Sequence, residues 1–191
     1  VTAAPGGETC TTTDTTSCTV DELNGGTGYT FTVVATNTAG NSVPSASVEA
    51  TPYTVPDPPV ITSASPTDSG QVKVSWTVPA ANGSPITSYT VTAAPGGETC
   101  MTTSPSPPPP PSRSCTIDEL DNGTEYTFTV EATNTAGNSV PSASVEATPR
   151  TMPGAPTGLV GLVGDSEVLL GWTAPADDGG DTVVDYVVEY S

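Results

Sequence analysis

Histidine is absent from this 191-residue chain, which removes the commonest general base and the commonest metal ligand. Basic residues are nearly absent too: Lys73, Arg113 and Arg150 stand against 21 acidic side chains, giving a formal charge of −18. Such a surface repels phosphate, so nucleic acid, heparin-like chains and anionic membranes are poor partners. The acidity needs nothing beyond a solvated surface that keeps an extended protein in solution; a salty habitat or weak divalent-cation binding are the alternatives. No apolar run is long enough to cross a bilayer, the stretch Leu159–Gly164 being far too short. No membrane insertion is therefore expected of this segment. No base is at hand to activate a serine, and no Ser-x-x-Lys arrangement occurs. The neighbouring carboxylates Asp118 and Glu119, expected on a strand, would point to opposite faces and could not clasp one bond. No catalytic, cofactor-binding or metal-ligating residue is expected, and the chain reads as a non-enzyme.

Hydrophobic residues make up only 34% of the chain and aromatics 5%, a scarcity that can mark disorder. Here the apolar residues are instead grouped into short alternating runs rich in Val, Thr and Tyr, which suit strands. Four cysteines are present, none in a CxxC motif, so zinc and thioredoxin-like chemistry are not expected. They fall into two close pairs, Cys10 with Cys18 and Cys100 with Cys115. Pairs of that kind inside β-structure point to disulfides and an oxidising, extracellular setting.

An internal repeat organises the chain. Val1–Cys10 recurs unchanged as Val91–Cys100, and Cys18–Pro52 matches Cys115–Pro149 with five differences: Val20/Ile117, Asn24/Asp121, Gly25/Asn122, Gly28/Glu125 and Val34/Glu131. The offset rises from 100 − 10 = 90 to 115 − 18 = 97, so one copy has gained seven residues between its cysteines. Farther on, Thr54-Val55-Pro56 matches Thr151-Met152-Pro153, Trp76 matches Trp172, and Tyr89 matches Tyr186. A full unit of this length suits a small β-sandwich. The expected division is the back of one unit (residues 1–52), one complete unit (53–150) and the front of a third (151–191), a fragment of something longer.

Within the middle unit, Val72, Val74 and Trp76 alternate with polar residues, as do Tyr89, Val91 and Ala93, and Tyr126, Phe128, Val130 and Ala132. Period two sends one set inward and the other to water. The Val34/Glu131 difference falls on the outward set, where a carboxylate costs little.

Pro-x-x-Pro near the start of that unit, VSWTVP with Trp76, ITSYTVT with Tyr89, and DELDNGTEYTFTVEATNTAGNSVPS together resemble a fibronectin type III domain. The resemblance covers nearly the whole chain; Leu23 with Tyr29, and Trp172 with Tyr186 and Tyr190, repeat its parts. It implies an all-β, immunoglobulin-like sandwich, with strands C′ to G in residues 1–52 and A to C in 151–191. Trp76, Tyr89, Leu120, Tyr126, Phe128 and Trp172 are the implied core. It also implies a tyrosine corner, in which the Tyr126 hydroxyl bonds backbone near Leu120. The cysteine pairs do not match the antibody bridge; each brackets the C′-to-E connection and would close a short loop. The Thr-rich, Lys-poor style resembles bacterial or archaeal surface and secreted examples.

Other features read plainly. Asp177-Asp178-Gly179-Gly180-Asp181 lacks the EF-hand spacing and reads as a solvated B–C turn. Pro107–Pro111 is expected as a stiff polyproline II bulge, a rigid spacer or sequence drift rather than an SH3 ligand. Asn82 and Asn122 each begin a glycosylation sequon, relevant only in a eukaryotic secretory pathway. The F–G segment Asn134–Ser142 carries no RGD and is expected as a tight turn. The function this favours is a structural spacer whose partners are neighbouring modules of the same chain. The alternatives are an adhesion or polysaccharide-binding module, meeting a surface protein or glycan, and an accessory segment of a secreted hydrolase.

Overall fold

The computed structural model describes residues 1–103 and 112–189. The expected polyproline bulge at Pro107–Pro111 and Tyr190 lie outside the described residues, among which every regular element is a strand. In chain order these are β1 (Thr2–Ala4), β2 (Tyr29–Thr32), β3 (Thr36–Asn37), β4 (Gly40–Asn41) and β5 (Val48–Ala50). There follow β6 (Val60–Asp68), β7 (Gln71–Thr77), β8 (Ser88–Ala94), β9 (Thr99–Thr103) and β10 (Ser114–Ile117). Last come β11 (Tyr126–Asn134), β12 (Gly137–Asn138), β13 (Val145–Ala147), β14 (Thr157–Val163) and β15 (Val168–Thr173).

Strands β6 to β13 build two antiparallel sheets. One has the order β10-β7-β6; the other runs β12-β11-β8-β9, with β13 also paired to β11. The alternation dictates this arrangement. In β11 every second residue from Tyr126 to Asn134 is buried, and in β8 Tyr89, Val91 and Ala93 are. Cross-strand register sets Val130 opposite Val91 and Phe128 opposite Ala93, so the apolar sets of both strands share one face. Val72, Val74 and Trp76 of β7 and Ile117 of β10 close over that face from the second sheet. Glu131 sits opposite Thr90 on the outward face and is half-exposed. A shift of one residue in β11 would bring this carboxylate inward, which fixes the register.

The chain ends carry less. β1, β2 and β5 form a three-stranded sheet and β14 with β15 a hairpin. β1 corresponds to the last residues of β8, so the first sheet begins one strand earlier than C′. Strand C, expected in the third unit, does not form: Thr182–Glu189 has no ladder partner among the described residues. β8 lies between β9 and β11, and nothing of that kind flanks Tyr186 among the described residues. The same cause corrects the core assignment of Trp172, which is 36% exposed because no second sheet covers it among the described residues.

Candidate functional site

Trp76 anchors the middle sandwich. It is 4% exposed, and its ring meets that of Tyr89 edge-on at 5.2 Å between centroids, a favoured aromatic geometry. Burial pushes the Tyr89 hydroxyl above its ordinary pKa, an effect that the positive charge of Arg113 partly offsets. Trp172 and Tyr186 repeat the pair at 5.4 Å, but in the open.

The crossover between the sheets is pinned by Tyr126. Its hydroxyl accepts the Asp121 backbone N–H at 3.1 Å, beside the buried Leu120. Tyr29 accepts the Asn24 N–H at 3.0 Å in the same way. Replacing Tyr126 with Phe leaves that N–H without its partner and is expected to cost about 1–2 kcal/mol, measured by urea unfolding; no loss would mean that the bond does not hold the crossover.

Both cysteine pairs are bonded. Cys100 lies on β9 and Cys115 on β10, the edge strands of opposite sheets, with Cα atoms 6.2 Å apart. Both pack against the core cluster. This is a bridge between sheets, placed at their rim rather than through their centre. Cys10 and Cys18 join at a Cα separation of 6.1 Å in a stretch without a strand of its own.

Asn134 was not legible as special. It is 5% exposed, and its Nδ2 donates to the carbonyls of Thr54 at 2.8 Å and Ala81 at 3.0 Å, while its Oδ1 accepts the Ala136 N–H. One side chain therefore ties the F–G turn to the chain entering the sandwich and to the B–C turn. Ser139 and Ser142, also buried, donate to nearby carbonyls and accept the N–H groups of Ala132 and Val130. They close the gap where β12 and β13 part. Asn37, the counterpart of Asn134, is exposed and holds only its own turn.

The carboxylates are dispersed. Asp118 and Glu119 lie past the end of β10, not on a strand, and both face solvent. The chain turns there, with Glu119 at φ 62°. Asp177 and Asp178 cap the N–H groups of Gly179 and Gly180 at 2.9 Å, and Asp181 pairs with Arg150 at 3.0 Å. Among the described residues no group of three or more acidic or Cys side chains is gathered as a metal would need. Asn82 of the first sequon donates to the Val55 carbonyl and the Asp57 carboxylate, and Asn122 of the second bonds Ser69 and Gly70. Tyr53, 55% exposed, is an isolated ring on the surface. No helix among the described residues is long and apolar enough to cross a membrane.

A family model described as "Fibronectin type III domain" matches residues 1–51 and 57–148. Exoglucanase B of Cellulomonas fimi is 35% identical over 195 aligned residues, covering 93% of this chain and 17% of that protein. Fibronectin type-III domain-containing protein 3A of Mus musculus is 33% identical, covering 90% of this chain and 15% of that protein. The chain thus spans under a fifth of the length of these relatives. Among solved structures, a crystal structure of a stretch of titin domains is 28% identical, covers 63% of this chain and 40% of its own, and aligns with a TM-score of 0.42.

Proposed function

The chain belongs to the fibronectin type III family, and from that premise we propose that it serves as a non-catalytic spacer in an extracellular multidomain protein. Residues 1–52, 53–150 and 151–191 are read as parts of three successive modules. The observation that supports a spacer over a binding module is the direction of the aromatic rings. Trp76, Tyr89, Tyr126 and Phe128 of the middle sandwich are all 5% exposed or less, which leaves the isolated ring of Tyr53, in the linker, rather than an aromatic platform on which a sugar chain could stack. The disulfides favour an oxidising compartment, hence secretion or the cell surface, and the acidic surface favours solubility over adhesion to anionic matter.

The likeness to an exoglucanase over nearly the whole chain favours, as a second reading, that the parent is a secreted hydrolase and this stretch its accessory segment. Both readings make the same prediction. The chain should pass unretained through cellulose, chitin and xylan in affinity electrophoresis. Retention on any of these glycans would favour the binding module instead.

A further inference from the structure

The chain between β5 and β6 is fastened at both ends of a single residue. The Pro52 carbonyl accepts the Gly26 N–H at 2.9 Å, tying it to the turn that precedes β2. Two residues on, the Thr54 N–H donates to the Asn82 carbonyl at 3.0 Å, and the Thr54 carbonyl accepts from Asn134 at 2.8 Å, tying it to the sandwich. Only Tyr53 lies between, and a residue offers just two soft torsions. The two turns also touch backbone to backbone. A Cβ on Gly83 would overlap the Pro52 carbonyl oxygen and reach 2.8 Å from the Gly26 nitrogen. Gly26 and Gly83 both hold positive φ, 79° and 91°, which glycine adopts freely.

The same fastening recurs 97 residues on (123 − 26, 149 − 52, 151 − 54 and 180 − 83). The Gly123 N–H donates to the Pro149 carbonyl at 2.9 Å and the Thr151 N–H to the Gly179 carbonyl at 2.8 Å. A Cβ on Gly180 would overlap the Gly123 nitrogen and reach 2.7 Å from the Asn122 carbonyl carbon. Arg150 takes the place of Tyr53, and its exposed pair with Asp181 adds little. The two B–C turns differ in sequence, Asn82-Gly83-Ser84 against Gly179-Gly180-Asp181, as do Gly25 and Asn122. The contact survives these changes because it is made by backbone that glycine leaves bare.

We propose that the turn before the F-type strand of each module is a docking surface for the linker and B–C turn of the next module in the same chain. Consecutive modules are thereby locked in one orientation. This rests on the spacer reading and deepens it: the spacer is a stiff rod with a set twist, not a string of beads.

Residual dipolar couplings test the lock in the 191-residue chain. Amides of β2 and β5 and those of β8 and β11 should fit one alignment tensor. A Cβ on Gly83 would meet the Pro52 carbonyl oxygen and, at 2.8 Å, the Gly26 nitrogen, both across the junction. Gly83→Ala should therefore split the data into two tensors while the β8 and β11 shifts stay in place. Gly28→Glu, the residue found at Glu125, should keep one tensor, since that site meets only Thr51 Oγ1 at 3.8 Å. Should Gly83→Ala disturb the sandwich itself, Gly180→Ala decides in the same way, read on β14 and β15 against β11. Two tensors in the unaltered chain, or one tensor retained after Gly83→Ala or Gly180→Ala, overturns the lock. Glycan retention with a single tensor would instead sink the spacer and leave the lock standing.

Discussion

Trp76→Ala is expected to destabilise the middle sandwich by about 3–5 kcal/mol. The indole is nearly enclosed, with the Tyr89 ring packed edge-on against it, and neighbours held in two hydrogen-bonded sheets cannot collapse into the space it leaves. The value should fall toward the lower end of that range. Trp76 Nε1 has no acceptor among the described residues, so removing the ring also removes an unsatisfied donor. Trp172→Ala supplies the contrast. The residue type and aromatic partner are the same, yet the ring is already partly in water, and the cost should be well under half. Amide exchange in β8 and β11 reports on the sandwich separately from the chain ends. Equal costs for the two tryptophans would mean that burial is not what makes Trp76 important.

Removing the Cys100–Cys115 bridge, by replacing both residues with Ala, is expected to cost about 3 kcal/mol on the loop-entropy model. The cysteines are 15 residues apart in sequence, and the bridge restricts that loop in the unfolded chain. In the folded state it also holds the rim strands β9 and β10, which belong to different sheets and, among the described residues, have no hydrogen-bond ladder joining them. Exchange should therefore accelerate first at β9, whose sole ladder partner among the described residues is β8. The Cys10–Cys18 loop is shorter, at 8 residues, and its loss should cost somewhat less. A change below about 1 kcal/mol for the longer loop, or free thiols in non-reducing mass spectrometry, would contradict the account.

The fold was legible because the inward set repeats without interruption from Tyr126 to Ala132, and because two copies differ where a carboxylate is harmless, at Val34/Glu131. Period-two spacing carries the side of a sheet on which each residue falls, and turn residues mark where strands stop. What such reasoning misses is anything that depends on a third element. Trp172 opens the same Trp-Thr-x-Pro-Ala pattern as Trp76, and an opposing sheet makes the difference between core and surface. Asn134 looked like an ordinary turn residue, since its partners Thr54 and Ala81 lie 80 and 53 positions away. The ties at Gly26 and Gly123 left a trace in the repeat, but NGG and NGT read equally well as plain turns. Asp118 and Glu119 directly follow the last strand residue, Ile117, and leave the sheet because β10 is short and the chain turns at Glu119.

The staple at the sandwich rim separates two jobs that a loop usually performs together. One is to bring β9 and β10 side by side; the other is to be a particular length. With the sulfur bridge doing the first, the second is free to vary, and the two copies differ there by 15 − 8 = 7 residues while their flanking segments stay nearly identical. The rim is thus a natural splice point, where foreign peptide could be displayed as cargo without disturbing the strands on either side.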